Sequence, residues 1–131
     1  MLPFEQAHTI RVYDGLIALG HDDPDLLAAG LLHDVGKARY PLNPWERVFA
    51  VAVRKLLPAK YKQWGRGEPK GLRVGIVVAA RHAEWGAQMA AEAGANERLV
   101  RLIRNHDTEL SKITEPERRL IEALQTVDTV S

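Results

Sequence analysis

Apolar residues recur at three- and four-residue steps along most of this chain, and no long apolar/polar alternation argues for a sheet. Prolines and glycines punctuate the pattern into helices. The first is predicted from Pro3 to Gly20. Asp23 as N-cap, with Pro24 behind it, starts a second that runs to Gly36. Asn43 and Pro44 start a third in the same way, reaching about Leu57. After the Gly/Pro-bearing "WGRGEPKG", read as loop, a helical region covers about Leu72 to Ala93, with a candidate break near Arg81. Asn96 caps a helix to about His106, and Thr114 with Glu117 forms a capping box for the last. The expectation is one all-α domain over residues 1–131, a compact bundle of about five to seven helices.

Helical phase also tells which way the unusual residues point. His8 falls on the stripe of Phe4, Val12, Leu16 and Leu19. His82 shares a face with Trp85, Gly86 and Met89, His106 with Leu99, Leu102 and Ile103, and Asp128 with Ile121 and Leu124. His33 lies below Leu26, Ala29 and Gly30, and Asp34 below Leu27, Gly30 and Leu31, on a helix apolar all round and therefore expected to be buried. Six ionisable side chains on five helical segments thus look inward. Taken singly, each has a plainer role: a hydrogen-bonded core histidine, a cap, an aspartate at a helix end. Taken together they need one another, or something that satisfies them jointly, because burying one unpaired costs a few kcal/mol. A divalent cation satisfies them all, since imidazoles and carboxylates both ligate it. His21, in the turn "GHDDPD", shares no apolar face and is read as solvated.

Composition narrows the chemistry. Hydrophobic residues at 46% and charged residues at 27% of 131 are ordinary for a globular protein. The chain has no cysteine, which excludes disulfides, thiolate metal sites and cysteine nucleophiles, and suits a reducing compartment. With neither a secretory signal pattern nor a membrane-length apolar run, a cytoplasmic setting is expected. The net charge is +1, but residues 39–73 hold nine basic and two acidic side chains, a local +7 that leaves −6 for the remainder. Such a tract suits an anionic partner or a solvated face equally well. Tyr40, Trp45, Tyr61 and Trp64 are interleaved with its charges, a mixture that can stack bases and hold phosphates. Trp45, Val48, Phe49, Ala52 and Leu56 also make a core stripe at helical spacing, and core packing is favoured for Trp45. For Tyr61 and Trp64 both readings stand.

"AHTIRVYDGLIALG", "AGLLHDVGKA", "RHAEWGAQMAAEAG", "LVRLIRNHD" and "LIEALQTVDTVS" together resemble the HD superfamily of metal-dependent phosphohydrolases. The resemblance spans the chain except about Tyr40 to Arg73. "HDVGK" is close to the HDIG variant, and the H-x-x-x-G-A-x-x-A segment from His82 and the closing "VDTVS" are similar to ribonuclease Y-type and HD-GYP-type domains. The Gly-Tyr-Pro signature of HD-GYP enzymes is missing, which argues against a cyclic di-GMP assignment. His106–Asp107 stands where many relatives carry two consecutive histidines.

The resemblance implies roles residue by residue. His8, His33, Asp34 and Asp128 match the four ligands of the superfamily, and His82 and His106 the two extra histidines of its two-metal members, in which the doublet's aspartate bridges. Lys37 matches a lysine that contacts the substrate phosphate, with Arg39 and Arg81 as further substrate contacts; outside that motif Lys37 would merely complement a helix dipole. Asp34 and Lys37 are the catalytic candidates. The implied cofactors are one or two divalent ions, and the nitrogen/oxygen donors favour Mn, Fe, Co, Ni or Zn over Mg. The implied reaction is attack of a metal-activated water on a nucleotide or other phosphate ester, with nucleic acid as an alternative substrate and no membrane partner. The basic tract at 39–73 becomes an insert or lid beside the metals. Two other classes stay open: an HD-fold di-iron oxygenase, and a non-catalytic module with a structural metal or a bound regulatory nucleotide.

Overall fold

The computed structural model describes residues 3–40 and 42–131 (for Leu72, the backbone alone). Seven helices follow one another among the described residues: α1 (Pro3–Ala18), α2 (Pro24–Leu32), α3 (Pro44–Leu56), α4 (Pro58–Gly65), α5 (Val74–Glu92), α6 (Glu97–Arg104) and α7 (Glu117–Val130). Short 3-10 turns occupy Val35–Arg39, Gly71–Arg73 and Leu110–Lys112, and no strand is present among the described residues. The all-α expectation holds.

Helix α5 is the hub. It packs against the Val35–Arg39 turn, α3, α4 and α6, while α1 and α2 pack together and both touch α7. The main core joins Val12 and Leu16 of α1, Leu26 and Ala29 of α2, Leu102 and Ile103 of α6, and Ile121 and Leu124 of α7. A smaller core joins Ala50 and Val53 of α3 to Ile76 of α5. Local signals act as expected at α2 and α3. The Asp23 carboxylate accepts from the Asp25 and Leu26 amides, and Asn43 forms a reciprocal capping box with Glu46. Arg98 of α6 then pairs with Asp23 and Asp25, tying the start of α2 to α6.

One approach places the site. A Cβ on Gly36 would lie 1.9 Å from the His82 carbonyl oxygen and 2.7 Å from the Gly86 amide nitrogen. Only glycine lets the turn after α2 press its backbone onto α5, and Gly86 answers from the other side. This contact explains why α2 stops at Leu32 rather than reaching Gly36. The chain leaves the α conformation at Asp34 (φ −101°, ψ 8°) and tightens into a 3-10 turn against α5.

Other expectations need correction. Residues 58–65 form helix α4, started by Pro58, and Tyr61 and Trp64 sit on it, partly buried against Ala50, Val53 and Ile76. Helix α5 runs unbroken through Arg81, which lies between Ala80 and His82 with no helix breaker beside it. Thr114 does not cap α7: Pro116 takes the preceding position, and no side chain caps that end. Phe4 and Leu19, near the ends of α1, are exposed, and Leu31 leaves one side of α2 facing solvent. Trp45 is not in the core. It is 81% exposed, with Val48 at 60% and Leu56 at 77%, because α3 buries its Phe49–Ala50–Val53 side instead.

Gly36→Ala should therefore destabilise the protein by about 1–3 kcal/mol, the range of core overpacking, whereas Trp45→Ala should change stability by no more than about 0.5 kcal/mol. Urea unfolding of both variants checks this, and the reverse order would contradict the packing described.

Candidate metal centre

The buried histidines are held at one nitrogen. His33 donates Nδ1–H to the Gly30 carbonyl at 3.0 Å, one turn back on α2. His82 places Nδ1 3.1 Å from the carbonyls of both Val78 and Ala79, and His106 donates Nδ1–H to Ile103 at 2.7 Å. Carbonyl oxygens only accept, so each Nδ1 must carry the proton and each neutral ring turns a bare Nε2 inward. His106 lies in the turn after α6, whose backbone is pinned from α7: the Gln125 amide donates to the carbonyls of His106 and Thr108 at 3.0 and 2.8 Å.

These nitrogens converge on Asp34. Its Oδ1 lies 3.3 Å from His82 Nε2 and 3.6 Å from His106 Nε2. Its Oδ2 lies 3.4 Å from His33 Nε2 and 3.4 Å from Lys37 Nζ. One carboxylate thus faces two clusters with one oxygen each. Asp128, from α7, closes the first cluster: its Oδ1 is 2.6 Å from His8 Nε2 and 3.3 Å from His33 Nε2. His8, His33 and Asp34 form one group that could hold a metal ion, and Asp34, His82 and His106 a second, the ligand atoms of each lying within 4.8 Å of one another.

Two details test whether this donor set fits a cation. His33 Nε2 is fully buried and makes no well-directed hydrogen bond, although two carboxylate oxygens stand near it. His82 Nε2 and His106 Nε2 lie 3.2 Å apart, both as lone-pair acceptors once Nδ1 holds the proton. Acceptors facing each other at hydrogen-bond distance in a buried place repel unless a proton or a cation joins them. The donors fit a divalent ion.

Charge is balanced tightly around Asp34. Burial alone pushes its carboxyl upward, but without a metal the His106 and His82 rings can turn an Nε2 proton rather than a lone pair towards it. Those hydrogen bonds, with the charges of His33 and Lys37, outweigh burial and hold the group far below the usual carboxylate range. Asp128 is likewise lowered: burial opposes, and His33 and His8 prevail. For His33 burial favours the neutral ring, yet Asp128 and Asp34 raise it above the ordinary histidine value.

The centre opens into a cavity of about 700 Å³, and all six converging residues except the enclosed His33 line it. Lys37 lines it too. Arg39 and Arg81 do not: their guanidinium carbons sit 5.5 and 5.4 Å from the centroid of the Trp85 ring. Arg81 neighbours His82 on α5 and is therefore rotated about 100° from it, and Arg39 is turned from Lys37 in the same way along the 3-10 turn. The cavity instead receives Arg11, Arg47 and Arg54, which sequence reasoning did not single out for the site, together with Tyr61 and Asp107. The available signal was the seven-residue step from Arg47 to Arg54, which puts both on one side of α3. His21, half-buried in its turn, takes no part.

A sequence model of the HD domain family matches residues 6–128, so that the match runs from just before His8 to Asp128 itself. No curated protein and no solved structure matches the chain. Among the described residues, no helix is long and apolar enough to cross a membrane.

The pKa directions predict an unusual stability profile for the metal-free protein. His33 is raised, so its contribution is complete below the ordinary 6.5 and is lost as pH rises through its folded value. Asp34 and Asp128 are lowered, so theirs are present above the ordinary 3.8 and are lost as pH falls. Thermal melts with a chelator present should peak between about pH 4 and 6.5 and decline on the alkaline side. A melting temperature that rises steadily from about pH 6 to 9 would contradict the charge arrangement around Asp34.

Proposed function

Taking as premise that this chain belongs to the HD domain family, we propose that it is a phosphohydrolase using two divalent ions, both of which Asp34 would help to hold. The observation that carries this reading is the sharing of Asp34: its two oxygens face separate nitrogen clusters, and the second cluster brings two bare Nε2 atoms within 3.2 Å of each other. His8, His33, Asp34 and Asp128 would hold one ion, and Asp34, His82 and His106 the other. Bound there, the ions would supply Lewis-acid activation of water and of the phosphoryl group. The protein's own groups do the rest. Lys37, 3.4 Å from Asp34 Oδ2, presents its ammonium to the cavity, where it would orient a phosphoryl oxygen and offset its developing charge. Asp34 and Asp128, kept ionised by their surroundings, hold their charge under mildly acidic conditions.

The "HDVGK" doublet and its lysine support an HDIG-type assignment. The cavity's size and basic lining support a nucleotide or similar phosphate ester as substrate. A second reading, a di-iron oxygenase, draws support from the burial of Asp34, His82 and His106, which would shelter an oxygen-reactive centre.

The purified protein, loaded with Mn or Co, should release phosphate from a nucleoside monophosphate, a phosphodiester or an aryl phosphate. Lys37→Gln should retain metal and lower kcat by on the order of 10²-fold, and Asp34→Asn should lose both ions by elemental analysis. Hydrolysis of none of these esters with metal bound would overturn the reading. Oxygen-dependent turnover after anaerobic iron loading would establish the second one.

A further inference from the structure

Helices α3 and α4 contribute none of the six converging residues, yet they form a wall of the same cavity. What α3 brings is two arginines. Arg47 and Arg54 are seven residues apart, about 10.5 Å along the axis, and both line the cavity. Arg47 is engaged: it pairs with Glu5 of α1, and its guanidinium carbon lies 4.8 Å from the centroid of the Phe4 ring. Arg54 is not, and neither is Arg11, which follows His8 by three residues on α1; among the described residues neither makes an ion pair. Beside Arg54 stands Tyr61 of α4, half-buried, whose hydroxyl feels the charges of both Arg54 and Asp107. Lys37 already serves the position next to Asp34. The cavity therefore holds, besides Lys37, two arginines from α1 and α3 whose charge no ion pair takes up among the described residues.

We propose that Arg54 and Arg11 form a second phosphate subsite, so that the substrate carries two phosphate groups: one presented to the Asp34-centred clusters and another gripped by these guanidinium groups. This rests on the reading of those clusters as the place of reaction. Guanidinium forks match phosphate oxygens in pairs, and two of them balance a dianion. Tyr61, which lines the same cavity, offers an aromatic face suited to the body of a nucleoside. The exposed stripe of Trp45, Val48 and Leu56 lies elsewhere on α3 and is no part of the subsite.

Calorimetric titration of the Mn-loaded protein with adenosine 3′,5′-bisphosphate and with adenosine 5′-monophosphate tests the proposal. The wild-type chain should bind the bisphosphate at least about tenfold more tightly, and the double variant Arg11→Gln/Arg54→Gln should lose that preference while keeping its affinity for the monophosphate within about twofold. Lys55→Gln, which removes one charge from α3 outside the cavity, should leave the preference intact. Equal affinities in the wild type, or a preference that the double variant retains or Lys55→Gln erases, would overturn the subsite. A preference observed in protein that hydrolyses no ester supports the subsite and removes the hydrolytic reading. Hydrolysis without the preference overturns the subsite alone.

Discussion

Backbone carbonyls one turn back along the chain determine which nitrogen of three buried imidazoles carries the proton, and the rest of this molecule is arranged around the consequence. Gly30, Ile103 and the Val78–Ala79 pair take the Nδ1 protons of His33, His106 and His82. Each ring is left with a lone pair pointing at Asp34. Leaving such an acceptor unsatisfied in a buried place costs about 1–3 kcal/mol, and here several are gathered within one small volume. A fold stabilised by apolar packing alone would gain from replacing them. Their cost is offset only by something positive shared among them, which makes the cluster a site rather than a core.

Packing follows from that requirement. His33 and Asp34 must meet His82, so the turn after α2 lies directly on α5, and glycine at 36 and 86 is what allows it. The main core of α1, α2, α6 and α7 lies to one side of the centre and brings in His8, His106 and Asp128 from distant parts of the chain. The smaller core under α3 and α4 supplies no ligand but carries the basic wall. Two packing units thus divide the labour, one holding the converging histidines and aspartates and the other shaping and charging the cavity before them.

Much of the convergence of these six side chains was legible because helical phase is a local property. His8 points where Val12 and Leu16 point, and Asp128 where Leu124 points, whatever the tertiary arrangement. The sharing of Asp34 between two clusters was legible only through family resemblance, since it depends on a 3-10 turn and a backbone contact that no periodicity announces. Trp45 misled for a physical reason. Helix α3 is apolar on two sides, and periodicity defines a face without saying which face meets the core. Arg11 carried no local signal and Arg54 only its seven-residue step from Arg47, since an arginine on a helix reads as solvated until a cavity is seen beside it. Arg39 and Arg81 show the converse, being close in sequence to the centre and turned from it towards Trp85. Helix α4 was hidden by the prolines and glycines that bound it.

The account stands or falls on cations gathered by Asp34. Anomalous diffraction from crystals grown with Mn²⁺ measures this directly. Two peaks should appear about 3.5–4 Å apart, one on each side of the Asp34 carboxylate, with the Nε2 atoms of His33, His82 and His106 turned towards them. A map without a peak at Asp34, with those imidazoles bonded to one another or to water through protons, would contradict it.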